Sequence, residues 1–534
     1  MVIDARPQPN LMGTFGDDVG AAMPLPRRDK AEGEFDYRFH LDRSVDLRGS
    51  RLPYARNPVF VGRDDLLAQL SERLTADNAL VLLTGPSGIG KTQTAVEFAC
   101  RYEAQFPGGV FWLRCGHRDL IPNEVAACGA DGRATVPGYD SLSQTDKIKM
   151  VISAWHKPVP RLLILDDVED AETVEEWQPE TGGCRVLILT AHEDWAKEFG
   201  SKAITLPPLD AASSLKLLAG NDPARLQAIS ADLAASIVAD LLDHLPLALR
   251  CAGAYMAGDG HSASSYLGEL CARTAMAEDI GSTPEDETNA LAAIAMGYVT
   301  LKSTAGAFPK AKGNQPGGHL SLPLHLLHLL AHCAPSIPVP RRPLMKAVET
   351  AEERLLTDAL VGLSELGLVM LTEDPFQPAE PCPIVQRLPQ HFAHTHNESL
   401  SADAAVMQET MAAIADELNN AGDKKALGFY LPHLRTLAES ADGSPQGGRL
   451  FNALGRYFDS ISDPATALVS FEHALEIEEK VNGSEHPSLP RFLSNVGRMH
   501  KALGDLQSAR AAFECALEHN CSFEIFNLGN SRPV

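Results

Sequence analysis

Little in this chain suits a secreted, membrane-embedded or nucleic-acid-coating protein. Its 10 cysteines are scattered without a CxxC pair, which argues against a disulfide framework or a zinc knuckle and for reduced thiols in a cytoplasm. Apolar runs fall short of the ~20 residues that span a bilayer; Leu320–Ala331, among the longest, is broken by His and Pro. The first residues lack a charged start followed by an apolar core, so no secretory leader is expected. Positive charge is short as well: 46 Lys and Arg face 70 Asp and Glu, for a net charge of -24. So acidic a molecule repels phosphate backbones and anionic lipid, which argues against a membrane or nucleic acid as partner.

What is present is an ordinary globular composition, 44% hydrophobic and 22% charged, spread over 534 residues. At about 150 residues per domain that length implies several cores. Ala79–Thr84 reads ALVLLT, an apolar run of the kind that forms a strand buried on both faces. It leads into Gly85-Pro86-Ser87-Gly88-Ile89-Gly90-Lys91-Thr92, after which Ala95, Phe98, Ala99 and Tyr102 recur at helical spacing. Glycines let successive backbone N–H groups turn inward around phosphate oxygens, and the helix N-terminus adds partial positive charge. Lys91 would reach the β- and γ-phosphates, Thr92 would offer its hydroxyl to Mg²⁺, and Gln93 follows on the first helical turn.

The metal needs a carboxylate at the end of a neighbouring buried strand. Arg161–Asp170, RLLILDDVED, supplies Asp166 to coordinate Mg²⁺ and Asp167 to orient an attacking water. A third run, RVLILT at Arg185–Thr190, places Thr190 where it could sense a terminal phosphate. With Val110–Leu113 and Ala203–Leu206, five strands alternate with helical stretches. This predicts an α/β domain with a parallel sheet and its ligand at the strands' C-terminal edge.

Taken together these residues resemble the NB-ARC class of STAND signalling ATPases. Upstream, Arg56-Asn57-Pro58-Val59-Phe60-Val61-Gly62-Arg63-Asp64 is similar to the family segment that lines the adenine pocket, through Phe60, Val61, Gly62 and Arg63. Downstream, Leu241–Leu249 (LLDHLPLAL) resembles the GLPLAL motif, whose proline, here Pro246, would pack near base and sugar. The resemblance covers roughly residues 51–400 and departs at three places. Thr190-Ala191-His192 stands where members often carry an arginine, Cys382 where they commonly have a histidine, and His244 replaces the GLPL glycine.

The resemblance implies ADP or ATP with Mg²⁺ as cofactors, at most slow ATP hydrolysis, and a nucleotide-dependent homo-oligomer. It also implies a helical domain at 211–302 and a winged-helix-like domain at 319–400, with a Gly- and Pro-rich linker at 303–318 between them. Within the winged domain, acidic residues outnumber basic ones between Arg341 and Asp374, against DNA reading. His325, His328 and His332 sit on one helix face beside Cys333; with no carboxylate or Cys pair close in sequence, packed histidines are the simpler reading than a metal site.

In the tail, residues 42 apart match: Gly455/Gly497, Asp463/Asp505, Ala467/Ala509, Phe471/Phe513 and Ala474/Ala516. Such a period marks an internal helical repeat, similar to the kinesin-light-chain type of tetratricopeptide repeat, with a third unit expected to begin near Phe526. These repeats at 449–534, joined to the winged domain by a helical connector at 401–448, are expected to bind a protein or peptide. Residues 1–50, rich in Pro, Gly and Asp, are expected to be disordered and too short for an effector domain.

Overall fold

A computed structural model describes residues 46–530 except 78, 131, 221, 258–261, 278–284, 304–319, 351, 378, 442 and 484–485. The N-terminal segment up to residue 45 and nearly all of the 303–318 linker lie outside the described residues. Five strands form one parallel sheet: β1 Leu80–Thr84, β2 Val110–Arg114, β3 Arg161–Asp166, β4 Cys184–Thr190 and β5 Ala203–Thr205. Their order is β2-β3-β4-β1-β5. The central strands read as continuous apolar runs because helices cover both faces, leaving no polar side to alternate with. Register pairs Thr84 with Thr190 and Leu165 with Ile188. The glycine loop and Asp166 therefore finish at one edge of the sheet, with β4 between them.

Residues 46–50, expected to be disordered, belong to this domain. Leu47 is buried and bridges Ala134, Arg51 pairs with Phe111 at the sheet edge, and Asp46 ion-pairs with Arg161. Arg161 is fully buried at the start of β3. A charge so placed needs a counter-charge, and the chain comes back to supply it.

After the sheet come short helices, including Ala211–Leu218, Leu233–Leu241 and Pro246–Tyr255. Asp210, Asp222 and Asp232 cap three of this series by accepting first-turn amides, each worth roughly 1 kcal/mol. Further on, helices Leu322–Leu330, Arg341–Ala347 and Glu353–Glu365 precede an antiparallel pair, β6 Val369–Glu373 with β7 Pro381–Val385. The helix Arg387–Thr395 follows directly. Three helices and a two-stranded ribbon thus occupy the winged segment expected at 319–400.

His325 and His328 are buried, and the helix Leu400–Ala421 brings the buried Asp403 to 3.5 and 3.8 Å from them. Sequence offered no carboxylate near these histidines; folding does. His328 also hydrogen-bonds Tyr298 at 2.7 Å. Among the described residues no group of three or more His, Cys, Asp or Glu has metal-holding geometry.

The repeats are two antiparallel helix pairs, Pro445–Ser460 with Pro464–Asn482 and Leu489–Leu503 with Leu506–Asn530. Residues near Phe526, expected to start another unit, continue that last helix. The connector is itself a pair, Leu400–Ala421 and Lys424–Ser440, on which the first repeat stacks. Met407, Met411, Leu431 and Leu434 are buried there, and Arg449 donates to Glu409 at 2.6 Å. Stacked neighbours bury the faces that one unit cannot cover alone. The connector thus supplies the third layer that two repeats lack.

Candidate functional site

Geometry at the glycine loop follows from its sequence. Gly85, Gly88 and Gly90 all adopt positive φ (147°, 80° and 93°). A Cβ on Gly88 would lie 3.2 Å from Leu247, and one on Gly85 would lie 3.2 Å from Ile89. Backbone conformation therefore favours glycine at all three positions, and at Gly85 and Gly88 a Cβ would also crowd its neighbour. Gly90 immediately precedes the helix Lys91–Tyr102, so the helix's first free amides open into the loop. Lys91 Nζ lies over the loop and donates to the carbonyls of Gly85 at 2.6 Å and Pro86 at 3.1 Å. Inward-turning amides, a helix start and an ammonium make a donor set suited to a polyphosphate.

Opposite stands Asp166, accepting from Thr92 Oγ1 at 3.3 Å. Burial, followed by the neighbouring charge of Asp167, pushes its carboxyl up to about 7, against the lowering effects of Thr92 and Lys91. A hydroxyl and a buried carboxylate facing each other beside a phosphate cradle fit Mg²⁺, which would hold Asp166 ionised. Burial also lowers the Lys91 ammonium, partly countered by Asp166 and Asp167.

The upstream segment is held by charge. Arg56 donates to both oxygens of Glu97, at 2.9 and 2.8 Å, and Glu97 sits on the helix after the loop. Its carboxyl falls below the ordinary range, chiefly because of the Arg56 hydrogen bonds. Arg63 turns inward at φ 65°, donating to Thr94 Oγ1 at 2.8 Å and to the Ile89 carbonyl at 2.6 Å. It braces the back of the loop.

One cavity gathers Phe60, Val61 and Arg63 with Ser87 to Gln93, Asp166, Asp167, Thr190 and Pro246. Gly62, Gly85 and Pro86 lie just outside its wall. Thr190 reaches the wall with its hydroxyl engaged, donating to the Val168 carbonyl at 2.7 Å and accepting from the His192 amide at 3.1 Å. Pro246 starts its helix, and the next amide, Leu247 N–H, donates to the Gly88 carbonyl at 3.3 Å. That contact ties the backbone of the loop to the helical region. His244, in place of the motif's glycine, holds φ 53°. Its ring hydrogen-bonds Ser214 at 2.9 Å and approaches Asp240 at 3.2 Å, contacts that offset a backbone conformation glycine would adopt freely.

The winged segment forms the remaining wall, through Met370, Ile384, Gln386 and Arg387. Sequence reasoning had selected none of these, although it had marked the adjoining Cys382. That thiol is not part of the cavity wall: it is buried, donates to the Glu373 carbonyl at 3.4 Å, and is pushed up to about 12 by burial. Tyr54 and Arg250 also line the cavity and were missed. Neither belongs to a motif that spacing alone would single out.

Residues 448–521 match the tetratricopeptide repeat family. A nucleotide-binding leucine-rich repeat (NLR)-like protein of Hyaloscypha variabilis is 25% identical over 246 residues, which are 40% of this chain and 24% of that protein. Regulatory protein AfsR of Streptomyces coelicolor is 29% identical over 231 residues, 40% of this chain and 22% of that protein. The chain thus spans about a quarter of the length of these curated relatives. A STAND protein with a tetratricopeptide repeat sensor from Pyrococcus horikoshii is 13% identical, with a TM-score of 0.41 over 89% of this chain and 79% of that one.

Motifs, sheet and repeats define the layout: a glycine loop at the C-terminal edge of a parallel α/β sheet, followed by a helical tail of tetratricopeptide repeats. The sheet order, the helices that follow it and the terminal repeats agree with the architecture expected from the resemblance to the NB-ARC class of STAND proteins. No helix among the described residues is long and apolar enough to cross a membrane.

Proposed function

We propose that this chain is a nucleotide-controlled switch, binding ADP or ATP with Mg²⁺ and changing its assembly when one replaces the other. The observation that carries this reading is the composition of the cavity wall. The glycine loop, Asp166, the Pro246 helix and Gln386 and Arg387 of the winged segment all contribute to it. A ligand touching several segments at once can shift their arrangement by its differential affinity for the open and closed forms. Lys91 and the loop amides would hold the phosphates, while Thr92 and Asp166 would hold Mg²⁺; the metal would neutralise phosphate charge there.

The repeats lie within reach of this switch. His117, just after β2, hydrogen-bonds Thr436 of the connector at 3.2 Å, and Arg435 pairs with Asp119 at 3.4 Å. A protein or peptide on the repeats would therefore act on the nucleotide domain through the connector. DNA reading by the winged segment has less support. Arg341 is buried, and Arg342 and Lys346 both face Glu417, at 2.6 and 3.5 Å.

Native mass measured with ADP and with a non-hydrolysable ATP analogue tests the proposal. A larger species with the analogue alone is expected. One mass under both conditions would contradict nucleotide-controlled assembly.

A further inference from the structure

A guanidinium ties the winged segment to the end of β3. Arg387 opens the helix Arg387–Thr395 and donates one guanidinium nitrogen to Asp167, and the same nitrogen to Glu169 at 3.3 Å. Both carboxylates follow the Mg²⁺ candidate Asp166 within three residues. Asp167 is also confined from behind. It adopts φ 63°, uncommon for a residue with a side chain, and its Oδ2 would lie 2.8 Å from any Cβ at Gly116.

The arrangement bears on what Asp167 can do. A carboxylate that orients or deprotonates water needs a lone pair free and within hydrogen-bond reach of that water. The oxygen paired with Arg387 is engaged, and its charge is partly neutralised by the guanidinium.

We propose that Arg387 is a positioning residue: docked, it latches the winged segment and withholds Asp167 from ATP hydrolysis. This rests on the nucleotide-switch reading above. Hydrolysis joins water oxygen to the terminal phosphorus, breaks the bond to the bridging oxygen with its electron pair leaving on ADP, and releases a proton. Asp167 is the side chain placed to accept that proton, and undocking frees it. Both partners of the latch are 42% exposed. A pair so open to solvent shifts a docked-to-undocked equilibrium by only about fivefold, enough to bias it and little enough to reverse.

The test uses the full chain, with Arg387→Gln, Arg387→Lys and Asp167→Asn, and two readouts. Amide hydrogen exchange over residues 387–395 with ADP present reports docking, and phosphate release from ATP reports turnover. Arg387→Gln should raise both several-fold, with Arg387→Lys in between. Asp167→Asn breaks the same pair, so it should raise exchange as much while lowering phosphate release.

Unchanged exchange in Arg387→Gln would overturn the latch. Raised exchange with unchanged or reduced phosphate release would overturn the withholding of Asp167, as would wild-type and variant chains that all release none. ADP titration of wild type and Lys91→Ala separates the deeper failure: if neither binds, the nucleotide reading itself falls and the proposal with it.

Discussion

Adding one methyl group at Gly455 should destabilise the repeats, while the same methyl at Gly497 should not. The two glycines hold equivalent places on the first helices of successive units. An added Cβ at Gly455 would meet three carbons of the Phe471 ring at 2.7–2.9 Å, and at Gly497 three carbons of Phe513 at 2.9–3.1 Å. Phe471 is fully buried between Ala467 and Ala474, themselves fully buried, so its ring has nowhere to go. Phe513 is only half-buried on the last described helix and can swing outward. Overpacking costs about 1–3 kcal/mol, whereas Gly to Ala inside a helix gains up to ~1 kcal/mol. Gly455→Ala should therefore lose about 1–2 kcal/mol, and Gly497→Ala should fall within ~0.5 kcal/mol of wild type. Thermal midpoints of the full chain rank the two variants even where unfolding is not two-state. In Gly455→Ala/Phe471→Leu the methyl gains room, so the double variant should lose less than the two single losses added. Equal effects at both glycines, or strict additivity, would refute the close-approach argument.

Asp166→Asn should weaken binding of ATP with Mg²⁺ more than binding of ADP without metal, by roughly tenfold or more; calorimetric titration of both ligands would show equal losses if the metal were held elsewhere. Acid should loosen the junction of connector and winged segment through His433. Its Nδ1 accepts from the Ala334 amide at 3.1 Å, its Nε2 donates to the Pro338 carbonyl at 3.0 Å, and burial lowers its pKa to about 4. Unfolded histidine titrates at about 6.5, so the unfolded chain takes up the proton first as pH falls. Stability is then full above about 6.5 and declines toward 4, by roughly 1 kcal/mol over the first unit. Thermal midpoints at pH 7.5 and 5.5 should fall further apart for wild type than for His433→Asn; equal falls would place the sensitivity in other groups.

The parts of this molecule built from short-range patterns were legible in its sequence. The strands and the glycine loop could be read because burial on both faces demands unbroken apolar runs and a phosphate cradle demands glycines. The repeat could be read because each unit solves the same packing problem, with a glycine of its first helix against a phenylalanine of its second, as at Gly455 and Phe471. What stayed hidden depends on distant segments meeting. Asp46 neutralises Arg161, Asp403 arrives beside His325 and His328, and Arg387 reaches Asp167. Each is a contact between polar side chains far apart in sequence, with no local spacing to announce it.

The central claim is that the loop from Gly85 to Thr92 holds a nucleotide's phosphates with Lys91 over them. Calorimetric titration of the full chain with ADP and Mg²⁺, wild type beside Lys91→Ala, tests it most directly. The account predicts a one-to-one complex for wild type and loss of at least a hundredfold in affinity, about 2.7 kcal/mol, for the variant. Equal affinity in the two proteins, or no binding by wild type that carries no nucleotide beforehand, would contradict it.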